Sequence, residues 1–189
     1  MPTTQQPLVE KKKLEKSPLE LHYMGERVLR QPAKRVARVD DSIRKLVKEM
    51  LQTMYTSDGI GLAAPQIGIQ KQILVLDSDW ENPTTPPLVL INPAIKKLNG
   101  PLTVAEEGCL SIPGVFLDVT RPSRVEVSYK DENGRPQKRV FDDLPSRIIQ
   151  HEIDHLNGVL FVDRVDNELA LTEALSKTEF SVRDVKAIR

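Results

Sequence analysis

Between residues 40 and 57 the apolar positions recur every three or four residues. Ile43, Leu46, Val47, Met50, Leu51 and Met54 fall on one face of a predicted helix. Asp40 or Asp41 can cap its start, and Ser57-Asp58-Gly59 stops it. The period then shortens. Residues 72–77 and 88–92 read as strands flanking a loop with Trp80, Pro83, Pro86 and Pro87. Further short strands are expected near 103–106, 115–119, 124–130 and 137–142. Asn133-Gly134 is a hairpin turn between the last two, and Pro113 and Pro122 are expected to break the region into pieces. Residues 145–157 predict a second helix, with Pro145 in its first turn and Gly158 just past its end. A last helical stretch is expected over about 166–180. Helices near both ends of a strand-rich middle predict an α+β fold.

The 189 residues suit one small single domain. Only 4% are aromatic, so the core is expected to be Leu, Ile and Val. The formal net charge is zero, which gives no long-range attraction to nucleic acid or to an anionic membrane. No apolar run is long enough to span a bilayer. Residues 1–16, with Lys11-Lys12-Lys13, lack the apolar stretch of a secretory signal and read as a polar, mobile extension. The lone cysteine, Cys109, rules out an intramolecular disulfide and fits a reducing compartment. The expected location is the cytoplasm, with an organelle matrix as the alternative.

The second helix carries His151-Glu152-Ile153-Asp154-His155. Histidines at i and i+4 lie one turn apart on one face, so two imidazoles can grip one metal ion. Glu152 sits on the flank, within reach of a water on that ion. Two lone helical histidines are ordinary, but here two of the chain's three share this motif. Cys109 lies just beyond a predicted strand, in Glu106-Glu107-Gly108-Cys109-Leu110-Ser111. Cys109, His151 and His155 leave a tetrahedral ion with one open position, the pattern of a catalytic rather than a structural centre. Ligand softness permits zinc or iron(II). His22 stands before the first helix, away from this set.

Leu144, Ile148, His151 and His155 form one stripe of the helix, and Ile149, Ile153 and Leu156 another. The second reads as core. The first is either core or an apolar pocket beside the metal. Asp154 either hydrogen-bonds the ligand-bearing turn or faces solvent. Gly59-Ile60-Gly61-Leu62-Ala63-Ala64-Pro65-Gln66 superficially matches a dinucleotide fingerprint, with Asp77 near the expected acidic position. A helix precedes it where a strand is required, and Pro65 interrupts the helix that should follow. The glycines are expected instead to let backbone approach a ligand, with the Gln66 amide free to stabilise an oxyanion.

With these three motifs the chain resembles the peptide deformylases of bacterial and organellar type. GIGLAAPQ from Gly59, EGCLS from Glu107 and HEIDH from His151 match the family's signatures in order and spacing, over roughly residues 20–165. The resemblance implies a small α+β fold with the HExxH helix central against antiparallel sheets. The implied catalytic domain is 17–165, with 166–189 as its C-terminal helix and tail. The implied reaction is hydrolytic removal of the formyl group from the N-terminal formyl-methionine of new polypeptides, by a metal-bound water activated by Glu152. The implied ion is one Fe(2+), with Ni(2+), Co(2+) or Zn(2+) able to substitute, held by Cys109, His151 and His155. Gln66 and the Leu110 backbone N–H are implied to stabilise the oxyanion. Ile60, Gly61, Leu144 and Ile148 are implied to bind the peptide and its methionine. The partners implied are formyl-methionyl nascent peptides, acted on by a monomer. Some members dock on the ribosome through a basic C-terminal helix. Here residues 164–189 carry five charges of each sign, so strong electrostatic docking is not expected. The competing readings are a non-catalytic binder of nascent N termini with a structural metal, and a generic HExxH metallopeptidase.

Overall fold

A computed structural model describes residues 8–188. Helix α1, Asp41–Thr56, begins where the Asp40 carboxylate accepts from the Ile43 N–H at 3.0 Å. It ends at Thr56, and two residues on Asp58 takes a left-handed φ of 59°. Five strands follow in one antiparallel sheet, in the order β1 Gly61–Ala63, β2 Ile73–Leu76, β3 Leu88–Cys109, β4 Ile112–Lys130, β5 Pro136–Asp142. β2 is buried throughout because both of its faces are covered. Ile73 and Val75 pack with Val47, Met50, Leu51 and Met54 of α1. Leu74 and Leu76 turn the other way, towards Ile149, Ile153 and Leu156. Those three belong to α2, Asp143–Leu156, so the HExxH helix lies against the sheet.

The expected strand fragments are longer in the structure. Those at 88–92 and 103–106 fuse into β3, and those at 115–119 and 124–130 into β4. The prolines do not break them. Pro93 and Pro101 fall inside register shifts, between Ile91 and Ala94 and between Asn99 and Leu102. β5 pairs with β4 only from Arg124 onward, so Pro122 lies beyond the doubly paired stretch. Proline is tolerated at bulges and strand edges because no ladder hydrogen bond is required there.

α2 starts two residues before the expected 145. The third helix, α3 Glu168–Ser176, is shorter than the expected 166–180, its start fixed by the Asn167 side chain accepting from the Ala170 N–H. Leu171 and Leu175 of α3 pack with Leu160, Phe161 and Val115 in a third apolar cluster. Gly158, after α2, has φ 72°, and a Cβ there would lie 2.7 Å from the Arg30 carbonyl oxygen.

Residues 1–7 of the expected mobile extension lie outside the described residues. From residue 8 onward the segment is docked rather than free. Leu8 and Val9 pack against the α1 cluster, and Lys11 forms an ion pair with Asp77. Among the described residues no helix is long and apolar enough to cross a membrane.

Candidate active site

Cys109 is the last residue of β3, and His151 and His155 stand one turn apart on α2. Pairing β3 with β4 and laying α2 on the sheet brings their ligand atoms within 4.8 Å of one another. Cys109 Sγ lies 3.3 Å from His155 Nε2. His151 Nδ1 donates to Glu107 Oε2 at 3.0 Å, which leaves its Nε2 for the centre. Burial holds His155 well below its ordinary pKa, which favours the neutral ring that a ligand needs. One thiol and two imidazoles at this spacing fit a divalent transition metal with an open position. His22 is elsewhere, its Nδ1 bonded to Glu26 at 2.6 Å.

Glu152 is buried, and its Oε2 has no hydrogen-bond partner among protein atoms. Burial raises its carboxyl to about 7. Gln66 sits in a four-residue 3₁₀ turn after β1, held by its Oε1 accepting from the Ala63 N–H at 2.8 Å. That bond fixes the amide's orientation, and Nε2 then donates to Ser111 Oγ at 3.2 Å and Cys109 Sγ at 3.5 Å.

Nine of the ten residues singled out from the sequence line one cleft of about 490 Å³. They are Ile60, Gly61, Gln66, Cys109, Leu110, Leu144, Ile148, His151 and Glu152; His155 lies behind them, 1% exposed. Leu144 is 46% exposed, so it is no part of the core, whereas Ile148 is buried and serves both core and cleft. Gly61 is required by proximity: a Cβ there would collide with Glu152 Oε1 and lie 2.8 Å from Ile148 Cγ2. β1, an edge strand, pairs only with β2.

Sequence reasoning missed the charged network behind the centre. Arg121, 3% exposed, donates from Nε and one terminal nitrogen to Glu107 at 2.6 and 2.9 Å, and from the other to Asp154 at 2.9 Å. Arg147 also reaches Glu107, at 2.8 Å. Arg164 holds both oxygens of Asp154, at 2.6 and 2.7 Å. Asp154 therefore faces this network and not solvent. Burial pushes the Glu107 carboxyl up, but His151 and Arg121 outweigh it and hold it well below the usual carboxylate range. The one available signal was Glu107 beside Gly-Cys; nothing in the spacing marks Arg121.

The sequence profile described as polypeptide deformylase matches residues 18–170. The chain is 65% identical over 181 residues to the peptide deformylase of Synechocystis sp., covering 96% of this chain and 97% of that one. It is 63% identical to peptide deformylase 1 of Nostoc sp., covering 95% and 96%. A crystal structure of a Synechococcus elongatus peptide deformylase in complex with actinonin superposes with a TM-score of 0.95 at 63% identity, covering 97% of this chain and all of that one. A Met-Ala-Ser-bound peptide deformylase of Acinetobacter baumannii gives 0.72 at 34% identity, covering 78% and 98%. The chain belongs to the polypeptide deformylase family, metal-dependent hydrolases that remove the formyl group from the N terminus of formyl-methionyl peptides.

Proposed function

We propose that the residues of this cleft carry out deformylation with Glu152 as proton carrier and Fe(2+) as the resident ion. The observation that carries this reading is a buried carboxylate with a partnerless oxygen, on the same helix as two histidines spaced to hold a metal with Cys109. Cys109, His151 and His155 would hold the ion, which when bound would supply Lewis acidity towards water and the formyl carbonyl. Glu152 takes a proton from the attacking water and passes it to the leaving amine. Negative charge on the formyl oxygen is met by Gln66 Nε2 and the Leu110 N–H, each such donor being worth ~3 kcal/mol in other enzymes. Glu107 keeps the His151 ring oriented from behind.

The substrate peptide adds to the free edge of β1 at Ile60 and Gly61. Its methionine lies against Leu144 and Ile148. The Met-Ala-Ser ligand of the Acinetobacter relative supports a tripeptide as the model substrate. Iron(II) fits the thiolate and imidazole donors, and Ni(2+), Co(2+) or Zn(2+) would suit the same set. The partners are formyl-methionyl nascent peptides met in the cytoplasm by a monomer, with no direct binding to nucleic acid and no strong ribosome docking.

The test is formate release from formyl-Met-Ala-Ser by anaerobically purified protein, with acetyl-Met-Ala-Ser as control and metal measured on the same sample. Release from the formyl peptide only, with about one iron per chain, is expected. A filled centre with no release would support a non-catalytic binder. Cleavage of internal bonds in an unformylated peptide would support a generic metallopeptidase.

A further inference from the structure

Lys11 lies in the N-terminal segment, 68 positions before its backbone partner Asp79. Its ammonium meets Asp77 Oδ2 at 2.7 Å, the Asp79 carbonyl at 3.0 Å and the Asn82 carbonyl at 2.9 Å. All three N–H donors of the lysine are thus used. The side chains of Lys11 and Asp77 are 9% and 1% exposed. A lysine is seldom so enclosed unless it is paired.

Asp77 is a hub for the turn that forms one wall of the active-site cleft. Its Oδ2 accepts from Tyr55 Oη at 2.6 Å, just before the turn, and its backbone N–H donates to the Ile60 carbonyl at 2.9 Å, within it. Residues 57–61, which follow the first anchor and contain the second, all line the cleft. Within them Asp58 takes the left-handed backbone at φ 59°, a conformation that aspartate tolerates in turns. The segment also meets the turn at Asp58 and the end of α1 at Thr56. Lys13 pairs with Asp58 at 2.6 Å, and the Leu14 N–H donates to Thr56 Oγ1 at 3.2 Å. The Lys13 pair is about half exposed and screened, so the enclosed Lys11 is the principal tie.

We propose that the N-terminal segment is a strap that fixes the cleft wall at 57–61 for peptide binding, with Lys11 as the positioning residue through which it acts. The inference rests on reading the cleft as the peptide site. It makes the N-terminal extension part of substrate recognition, although the ties described for residues 11–14 reach Asp77, Asp79, Asn82, Asp58 and Thr56 and no metal ligand.

The full chain is compared with its Lys11→Met and Lys11→Arg variants by formyl-Met-Ala-Ser kinetics and by hydrogen exchange at amides 57–61. Lys11→Met should raise KM about tenfold with kcat changed less than about twofold, the signature of lost binding rather than lost chemistry. Metal content should be unchanged, and exchange at 57–61 should quicken. Lys11→Arg, which keeps the charge and the donors, should restore both. If Lys11→Met folds poorly, combining it with Asp77→Asn removes both charges of the pair, and the same rise in KM is expected. An unaltered KM with unaltered exchange at 57–61 overturns the strap. Failure of the unmodified protein to release formate would instead overturn the reading of the cleft, while the exchange measurement would still report on the strap.

Discussion

At position 61 a single methyl group decides the outcome. A Cβ there would enter the space of Glu152 Oε1, so Gly61→Ala should push the carboxylate out of line. Misplacements of about 1 Å cost around 10²-fold in rate, and kcat/KM for formyl-Met-Ala-Ser should fall by that order with metal content intact. Glu152→Gln keeps the shape and removes the base. It should retain the metal and lose about 10²- to 10⁴-fold in kcat, read from formate release and metal analysis together. Wild-type turnover in that variant would remove Glu152 from its role. These residues were legible because their chemistry is local. Two histidines four apart announce themselves, and the helix ahead of Gly59 is enough to reject the dinucleotide reading. The partners of Gln66 were not legible, since Ser111 stands 45 positions away and meets it only through the fold.

α2 does three jobs on different faces of one helix: Ile149 and Ile153 fill the core, His151 and His155 face Cys109, and Leu144 opens to the cleft. Its periodicity made that division readable. The β3–β4 hairpin was less so, because its prolines look like breaks until pairing shows that they sit at register shifts and edges. The hairpin also creates what sequence could not reveal, by turning Arg121 onto Glu107 and Asp154 in the interior. Arg121→Met would leave two buried carboxylates short of a partner. Removing one member of a buried ion pair typically costs ~3–5 kcal/mol. For a chain of this size that is a fall in Tm of about 10 °C, checked by thermal unfolding. A Tm within about 2 °C of the unmodified protein would mean that Arg147 and Arg164 carry the network unaided.

The molecule as a whole is fastened at both described ends. Beyond α3 the tail returns to Arg30, which donates to both oxygens of Asp163 and to the Asp184 carbonyl at 2.5 Å. The Lys186 N–H closes the same cluster on Asp163 at 2.8 Å. A balanced tail tied down in this way is a poor electrostatic arm, so pelleting with ribosomes at physiological salt should stay at background. Pelleting that disappears on Lys177→Glu with Lys186→Glu would overturn that expectation. The charge balance was visible in the sequence; the fastening was not, because Arg30 and Asp163 are far apart along the chain. The one thiol offers a different use. Cys109 is the chain's only cysteine and is half-buried within the ligand set. A chromogenic disulfide reagent should therefore act as a direct census of empty centres: no colour from loaded protein, and one equivalent per chain after chelation. Every preparation thus carries its own occupancy gauge, readable without substrate.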